Sequence, residues 1–192
     1  MSKKLILLLV IIAVLMFGAA SLVKTGSKEN PVKEPQSSSS MIGKPAPNFS
    51  LQNQRGQTFK LSEMRGKKTV LFFNEGIMCY PACWNQMAAL GNDANLNNSE
   101  VVTASIVTDS PAQWKSAFVK MPELNKETIL FDSDQAVSGL YNLLSVDSSM
   151  HRGSKPGHTY VIVDQNGIVR YVKDDAQMGI RNQELRDEIA KI

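Results

Sequence analysis

Cysteine and histidine are scarce in this chain of 192 residues, which contains two of each. No cysteine directly follows the apolar N-terminal segment, and this absence excludes a lipoprotein anchor. Residues 42–192 lack an excess of either charge, since they carry 16 basic and 16 acidic residues. The folded part therefore has no basic patch of the kind that indicates a nucleic-acid partner. The chain has no internal repeat, and its length suits one domain with appendages.

The N-terminal segment is long, apolar and uncharged. Residues 5–23 form 19 consecutive residues without a charge, which is enough to span a bilayer as one helix. A cleaved signal peptide is the alternative, because the small residues at 18–21 offer a cleavage site. We favour an uncleaved anchor, since the apolar run continues through Leu22 and Val23.

Three regions are predicted along the chain: an anchor or signal segment at 1–23, a flexible linker at 24–41 and a folded domain at 42–192. The linker is rich in lysine, glutamate, proline and serine, so it has almost nothing apolar to bury. A short N-terminal tail normally stays in the cytoplasm, which places the domain on the extracytoplasmic side of the cell membrane, or makes it secreted if the segment is cleaved. A dithiol in that oxidising compartment needs a partner that returns it to its starting redox state.

The two cysteines, Cys79 and Cys83, lie four positions apart, soon after the apolar run 69–73. On one helical turn their Cα atoms would lie about 6.2 Å apart, within the roughly 4.4–6.8 Å that a disulfide tolerates. A helix N-terminus also favours the thiolate form of a cysteine. The pair therefore indicates a redox-active dithiol. A metal-binding pair and a purely structural disulfide are the alternatives, although closing so short a loop stabilises a fold little.

Hydrophobic periodicity predicts strands that alternate with helices, followed by a hairpin and a closing helix. The apolar run 70–73 is typical of a central strand buried on both faces. The order of elements predicts a three-layer α/β sandwich. The predicted strands are 49–51, 58–61, 70–73, 101–107, 129–131, 159–163 and 168–172. Four helices are predicted, at 81–90, 136–144, 182–192 and around 114–119, where residues 109–111 form the cap.

Short motifs follow one another in a characteristic order. They are IGKPAPNFSL at 42–51, LS at 61–62 with GK at 66–67, VLFF at 70–73, TDSP at 108–111, LFDSD at 130–134 and VIVDQNG at 161–167. The ordered set resembles the peroxiredoxin-like (AhpC/TSA, redoxin) domains of the thioredoxin superfamily. The resemblance covers about residues 42–192 and implies a thioredoxin-like α/β/α sandwich with a mixed central sheet.

The chain departs from the peroxiredoxin pattern at the positions that bind peroxide. Peroxiredoxins place Pro-x-x-x-Thr-x-x-Cys around the reactive cysteine, whereas Phe72 and Gly76 occupy the proline and threonine positions here. They also place an arginine six residues before the aspartate of the last hairpin, where this chain has His158. Efficient peroxidase activity is therefore not expected, unless Arg152 or Lys155 substitutes for the missing arginine.

Three functions follow from this resemblance. The leading prediction is a thiol–disulfide oxidoreductase, an enzyme without cofactor, in which Cys79 attacks a partner's disulfide and Cys83 resolves the mixed disulfide. The second is peroxiredoxin-type reduction of hydroperoxides, with Cys79 peroxidatic and Cys83 resolving. The third is a Sco-like copper-binding module that uses Cys79, Cys83 and His158, because thiolates and imidazole suit Cu(I). Both enzymatic functions require a redox partner that donates or accepts electrons.

Four further side chains near the cysteines are candidates for roles in the site. From its register, His158 is predicted to lie close to Cys79, where an imidazolium would favour the thiolate. Glu75 is interpreted as a solvated loop carboxylate, with proton acceptor as the alternative. Tyr80 and Trp84 either shape a partner surface or pack into the core.

Overall fold

A mixed sheet of seven strands forms the centre of the protein, as a computed structural model that describes residues 38–192 shows. The strands are β1 (Ser50–Asn53), β2 (Thr58–Lys60), β3 (Lys68–Phe73), β4 (Val101–Val107), β5 (Ile129–Phe131), β6 (Thr159–Val163) and β7 (Val169–Asp174). The α-helices are α1 (Ala82–Asn92), α2 (Pro111–Lys120), α3 (Ala136–Leu140) and α4 (Asn182–Ile189). Short 3-10 helices cover Ser38–Met41, Leu61–Met64, Gly76–Cys79 and Pro122–Lys126.

The sheet has the strand order β2-β1-β5-β4-β3-β6-β7. Its central strands β3, β4 and β5 pair in parallel, whereas β1 joins β5 and β6 joins β3 in antiparallel register. The hairpin of β6 and β7 then completes one edge. The predicted α/β sandwich with a mixed central sheet is confirmed.

Strand β3 is the middle of the core, and its side chains alternate between two buried layers. Val70 and Phe72 contribute to the layer that contains both cysteines and side chains of α1, α2 and α4. Leu71 and Phe73 contribute to the opposite layer, together with α3 and the segment before β1. All four side chains are fully buried, which is the pattern that the continuous apolar run predicted.

Two predicted helices are shorter than the sequence indicated, and the closing helix predicted at 182–192 ends at Ile189. The helix predicted at 136–144 ends at Leu140, because Asn142 adopts a left-handed conformation with φ of 56°. Two helix-forming residues beyond that point, Leu143 and Leu144, instead belong to the loop that leads towards β6. The extent of both predictions was therefore wrong, although both helices exist.

The N-terminal predictions fall mostly outside the described residues. The anchor predicted at 5–23 and most of the linker predicted at 24–41 precede residue 38. Within residues 38–192, no helix is both long and apolar enough to cross a membrane. The last four residues of the predicted linker form the Ser38–Met41 helix, and the side chain of Met41 is buried in the core.

Candidate active site

The two cysteines are joined by a disulfide bond just beyond the C-terminal end of β3. Cys79 ends a 3-10 helix, and α1 begins only at Ala82, after a cis peptide bond between Tyr80 and Pro81. Cys79 therefore lies before α1, and the two cysteines do not share one helical turn. The Cα atoms are 5.3 Å apart, closer than the helical spacing implied. Cys83 is fully buried and Cys79 keeps 4% exposure, so Cys79 is the more accessible of the two residues.

A tight turn between β3 and the cysteines sets this geometry. The side-chain carbonyl of Asn74 accepts a hydrogen bond from the backbone N–H of Gly76 at 2.9 Å. Gly76 has a φ of 67°, a conformation that side chains with a Cβ rarely adopt. The chain therefore leaves the strand through a 3-10 turn before α1 can begin.

His158 is brought next to the disulfide by the pairing of β6 with β3. Thr159 pairs with Phe73, so the residue before it lies level with the loop that leads to the cysteines. The Nδ1 atom of His158 is 3.5 Å from the sulfur of Cys83. The sulfurs of both cysteines and a ring nitrogen of His158 lie within 4.8 Å of one another. The structure thus brings together all three predicted site residues, with Cys83 rather than Cys79 in direct contact with the imidazole.

The imidazole of His158 is neutral at pH 7. Burial lowers its pKa from 6.5 to about 4, an effect that the neighbouring Asp175 carboxylate only partly offsets. The sequence-based expectation of an imidazolium beside the disulfide was therefore wrong, because the ring is fully buried. A neutral imidazole has one nitrogen lone pair and can accept a thiol proton.

The space beside Gly76 is filled by the carboxylate of Asp109. A Cβ at position 76 would overlap an Asp109 oxygen. That carboxylate accepts hydrogen bonds from the backbone N–H of Ile77 at 2.9 Å and the indole N–H of Trp114 at 3.2 Å. It also pairs with Lys155 at 3.1 Å. No room is left for the threonine side chain that peroxiredoxins place at this position.

The two residues considered as substitutes for the missing arginine have other partners. Arg152 pairs with Asp147 at 2.9 Å, in an exposed position. The ammonium group of Lys155 contacts Asp109 and the hydroxyl of Thr108, at 3.1 and 3.3 Å. Among the contacts of residues 38–192, neither cation reaches a cysteine sulfur.

Glu75 is buried, with 1% exposure, so its interpretation as a solvated loop carboxylate was wrong. Its oxygens accept hydrogen bonds from the backbone N–H groups of Met150 and His151, at 2.6 and 3.0 Å, and from the hydroxyl of Ser149. The ring of His151 lies 3.1 Å from the same carboxylate. Glu75 therefore holds the loop before β6 against the turn that carries the cysteines.

Trp84 packs into the core, whereas Tyr80 is exposed at the surface. Trp84 is buried, and its indole N–H donates to the carbonyl of Gly76 at 3.3 Å. Tyr80 is 49% exposed, and the ammonium group of Lys120 lies 3.6 Å from the centre of its ring. Trp84 thus packs beneath the dithiol loop, while Tyr80 presents an aromatic surface next to Cys79.

Two residues at the site were not found from the sequence. The thioether sulfur of Met178 lies 4.0 Å from the sulfur of Cys79, but nothing in the pattern of scattered methionines indicated this contact. Tyr160 places its hydroxyl 2.8 Å from Nε2 of His158. Its position could have been found, because residues two apart on a strand share one face.

The donor atoms of Cys79, Cys83 and His158 could hold a soft metal ion once the disulfide is reduced. Thiolate sulfur and imidazole nitrogen suit Cu(I), and they suit Zn²⁺ as well. The spacing that the copper-binding hypothesis requires is therefore present. Whether the site binds copper stays a prediction.

Comparisons with known proteins agree with this architecture. A family model described as the AhpC/TSA family matches residues 42–172. Peroxiredoxin Bcp of Escherichia coli is 29% identical over 132 residues, which are 68% of this chain and 83% of that protein. The chloroplastic peroxiredoxin Q of Triticum aestivum is 28% identical over 130 residues, 68% of this chain and 57% of that protein. The reduced 2-Cys peroxiredoxin of Plasmodium vivax superposes with a TM-score of 0.65 at 23% identity, covering 78% of this chain and 80% of that one, which shows a shared fold.

Proposed function

The chain belongs to the AhpC/TSA family, and from this premise we propose that it exchanges disulfides with partner proteins through Cys79 and Cys83. It is an oxidoreductase enzyme with a thioredoxin-like fold, as its peroxiredoxin relatives indicate. The observation that carries the proposal is the disulfide between these two cysteines, whose inner sulfur contacts His158.

The reaction cycle follows from the unequal positions of the two sulfurs. The thiolate of reduced Cys79 attacks a partner's disulfide, and one partner sulfur leaves as a thiolate. The thiolate of Cys83 then attacks the Cys79 sulfur of the mixed disulfide, which releases the second partner sulfur. The intramolecular disulfide that results is the state seen here, and a reductant must open it before the next cycle.

The surroundings of Cys79 favour a disulfide over a hydroperoxide as the substrate. A peroxiredoxin-type site needs hydroxyl and guanidinium groups that bind the peroxide oxygens. Asp109 fills the space of the threonine side chain, and His158 stands where the arginine is expected. The exposed ring of Tyr80 offers an apolar contact for a protein substrate instead.

Hydroperoxide reduction is the second candidate, because the relatives compared above are named peroxiredoxins. Cys79 would then be oxidised to a sulfenic acid, and the thiol of Cys83 would condense with it to give the disulfide and water. The close approach of the two cysteines suits this step equally well. The copper-binding hypothesis has less support, since the family is one of enzymes.

A comparison of two oxidants separates the candidates. Fully reduced protein is mixed in a stopped-flow instrument either with hydrogen peroxide or with a protein disulfide, and oxidation is followed by tryptophan fluorescence. We expect the disulfide to oxidise the dithiol, and hydrogen peroxide to react no faster than with a free low-molecular-weight thiol. The Cys83→Ser variant is the control, because it retains the first step and loses closure. A peroxide reaction far faster than that of a free thiol would establish the second candidate.

For the location of this enzyme we propose a membrane-anchored domain on the extracytoplasmic side. The proposal rests on the uncharged run 5–23, which follows two lysines and precedes a linker-like segment. Cell fractionation with an alkaline carbonate wash tests it. The full-length chain should stay in the membrane fraction, and protease added outside the cytoplasmic membrane should remove the domain. Release by the wash, or protection from the protease, would contradict the proposal.

A further inference from the structure

A buried chain of polar contacts leads away from the inner sulfur of the disulfide. The Cys83 sulfur lies 3.5 Å from Nδ1 of His158, and Nε2 of the same ring lies 2.8 Å from the hydroxyl of Tyr160. That hydroxyl lies 3.4 Å from the backbone carbonyl of Gly179. Cys83, His158 and Tyr160 are all fully buried. Solvent therefore does not compete for these contacts.

The far end of this chain fixes the direction of its hydrogen bonds. The carbonyl of Gly179 can only accept, and it lies within reach of two donors: the Tyr160 hydroxyl at 3.4 Å and the ring of His158. We assign the Tyr160 proton to this carbonyl, which is the direction that the contact geometry supports. The Tyr160 oxygen is then available to accept a hydrogen bond from Nε2–H of His158. A neutral imidazole carries one N–H, so Nδ1 presents a lone pair to the Cys83 sulfur.

We propose that Tyr160 is a positioning residue that holds His158 in the Nε2–H tautomer, so that Nδ1 accepts the thiol proton of Cys83 when the disulfide closes. The inference rests on the proposed dithiol cycle and assigns His158 to the second cysteine of the pair. Tyr160 touches neither sulfur among its hydrogen-bond contacts and acts through the imidazole.

The closing step balances without a further reactant. The Cys83 thiol gives its proton to Nδ1 of His158, and the Cys83 thiolate attacks the Cys79 sulfur of the mixed disulfide. A sulfur–sulfur bond forms between the two cysteines as the bond to the partner sulfur breaks. The departing partner thiolate takes the proton from His158. The dithiol is oxidised, the partner disulfide is reduced, and the imidazole returns to its neutral state.

The charged groups around His158 are committed to other partners. The carboxylate of Asp175 pairs with Arg181 at 2.7 Å and accepts the backbone N–H of Gly179 at 3.1 Å. Asp174 accepts hydrogen bonds from backbone N–H groups of the loop before β6. Asp175 therefore holds Gly179 and Arg181 together, while Nδ1 of His158 is the nitrogen in contact with Cys83.

The two steps can be timed separately with one chromogenic disulfide. Reduced full-length protein in detergent is mixed with one equivalent of 4,4′-dithiodipyridine, which releases one thiopyridone when Cys79 attacks and a second when Cys83 closes the disulfide. In Tyr160→Phe, which keeps the ring stacked on Phe72, we expect the closing phase to slow about tenfold, since a general base contributes at least that much. The first phase should stay within about twofold of the wild-type rate, because Tyr160 does not act on Cys79.

Tyr141→Phe is the matched control. Tyr141 is also fully buried and also donates its hydroxyl proton to a backbone carbonyl, that of Pro47 at 2.8 Å, but it lies in the opposite core layer. Both phases should be unchanged in this variant. Closing at the wild-type rate in Tyr160→Phe, or an equal slowing of both phases, would overturn the proposal. A wild-type protein without any closing phase would instead contradict the proposed function.

The tautomer itself can be measured in the wild-type protein, so the inference does not depend on how a variant folds. Nitrogen-15 NMR distinguishes protonated from unprotonated ring nitrogens, and the chain has only His151 and His158 to assign. A spectrum of the His151→Asn variant identifies the second ring. We expect His158 to be protonated at Nε2 alone at pH 7. A proton on Nδ1 would refute the proposed role of Tyr160.

Discussion

One part of the pH dependence of stability should come from a carboxyl group buried behind the redox helix. Glu127 is fully buried between β4 and α1. Hydroxyl groups of Thr103 and Ser105 lie 2.8 and 3.0 Å from its two oxygens. The Thr103 hydroxyl has one proton but two acceptors, since Asn97 also lies 2.8 Å away. A protonated Glu127 completes this network, because it donates to Thr103.

The sign and size of the effect follow from the pKa of this group. Burial raises the pKa of Glu127 from 4.5 to about 7, against the opposing effect of its hydrogen bonds. The folded state therefore holds the proton more tightly than the unfolded state. Stability that is present below pH 4.5 is lost as the pH rises towards 7, and at pH 8 the loss amounts to about 3 kcal/mol.

Glu127→Gln should remove this loss, because the amide stays neutral and can donate to Thr103 as the protonated acid does. Urea unfolding of the oxidised protein at a series of pH values measures the difference. The free energy of unfolding of the variant should equal that of the wild type near pH 4 and exceed it by about 3 kcal/mol at pH 8. Glu123→Gln, an exposed change nearby in the chain, is the control and should give the same difference at every pH. A constant difference for Glu127→Gln would refute the reasoning.

Two further predictions concern the site. Cys83→Ser should accumulate a stable mixed disulfide between Cys79 and its substrate, visible by non-reducing electrophoresis, and a variant that accumulates none would contradict the assigned order of attack. Gly76→Ala should lower the free energy of unfolding by about 1–3 kcal/mol, because its left-handed backbone is strained by a Cβ that also meets Asp109. Gly66 also has a positive φ, but the space around it is open. The smaller loss of unfolding free energy that we expect for Gly66→Ala therefore measures the backbone strain alone.

The sheet was predictable from the sequence because its strands are short apolar runs with clear turn signals. The run 70–73 gave the central strand, and the Asn-Gly pair at 166–167 gave the last hairpin. Counting back from that hairpin placed His158 at the cysteines, because strand register is fixed by the turn and by the buried face. The proximity of the three site residues thus followed from this register together with the resemblance to the thioredoxin superfamily.

The chemistry of the site depended on burial, which no local pattern reports. Glu75 was interpreted as solvated and the charge of His158 was expected without regard to burial, whereas both side chains are enclosed. The contact of Asp109 with the glycine turn joins segments 33 residues apart in the chain. Met178 reaches Cys79 from beyond β7. Such contacts arise from tertiary packing and have no sequence period.

The central claim is that Cys79 and Cys83 act as one redox couple, and an equilibrium redox titration tests it most directly. Protein is incubated in buffers of graded thiol-to-disulfide ratio, its free thiols are alkylated, and intact mass counts the labels. The account predicts no label under oxidising conditions and two labels that appear together in a single two-electron transition. Singly labelled protein as the main species, or two free thiols under every condition, would contradict it.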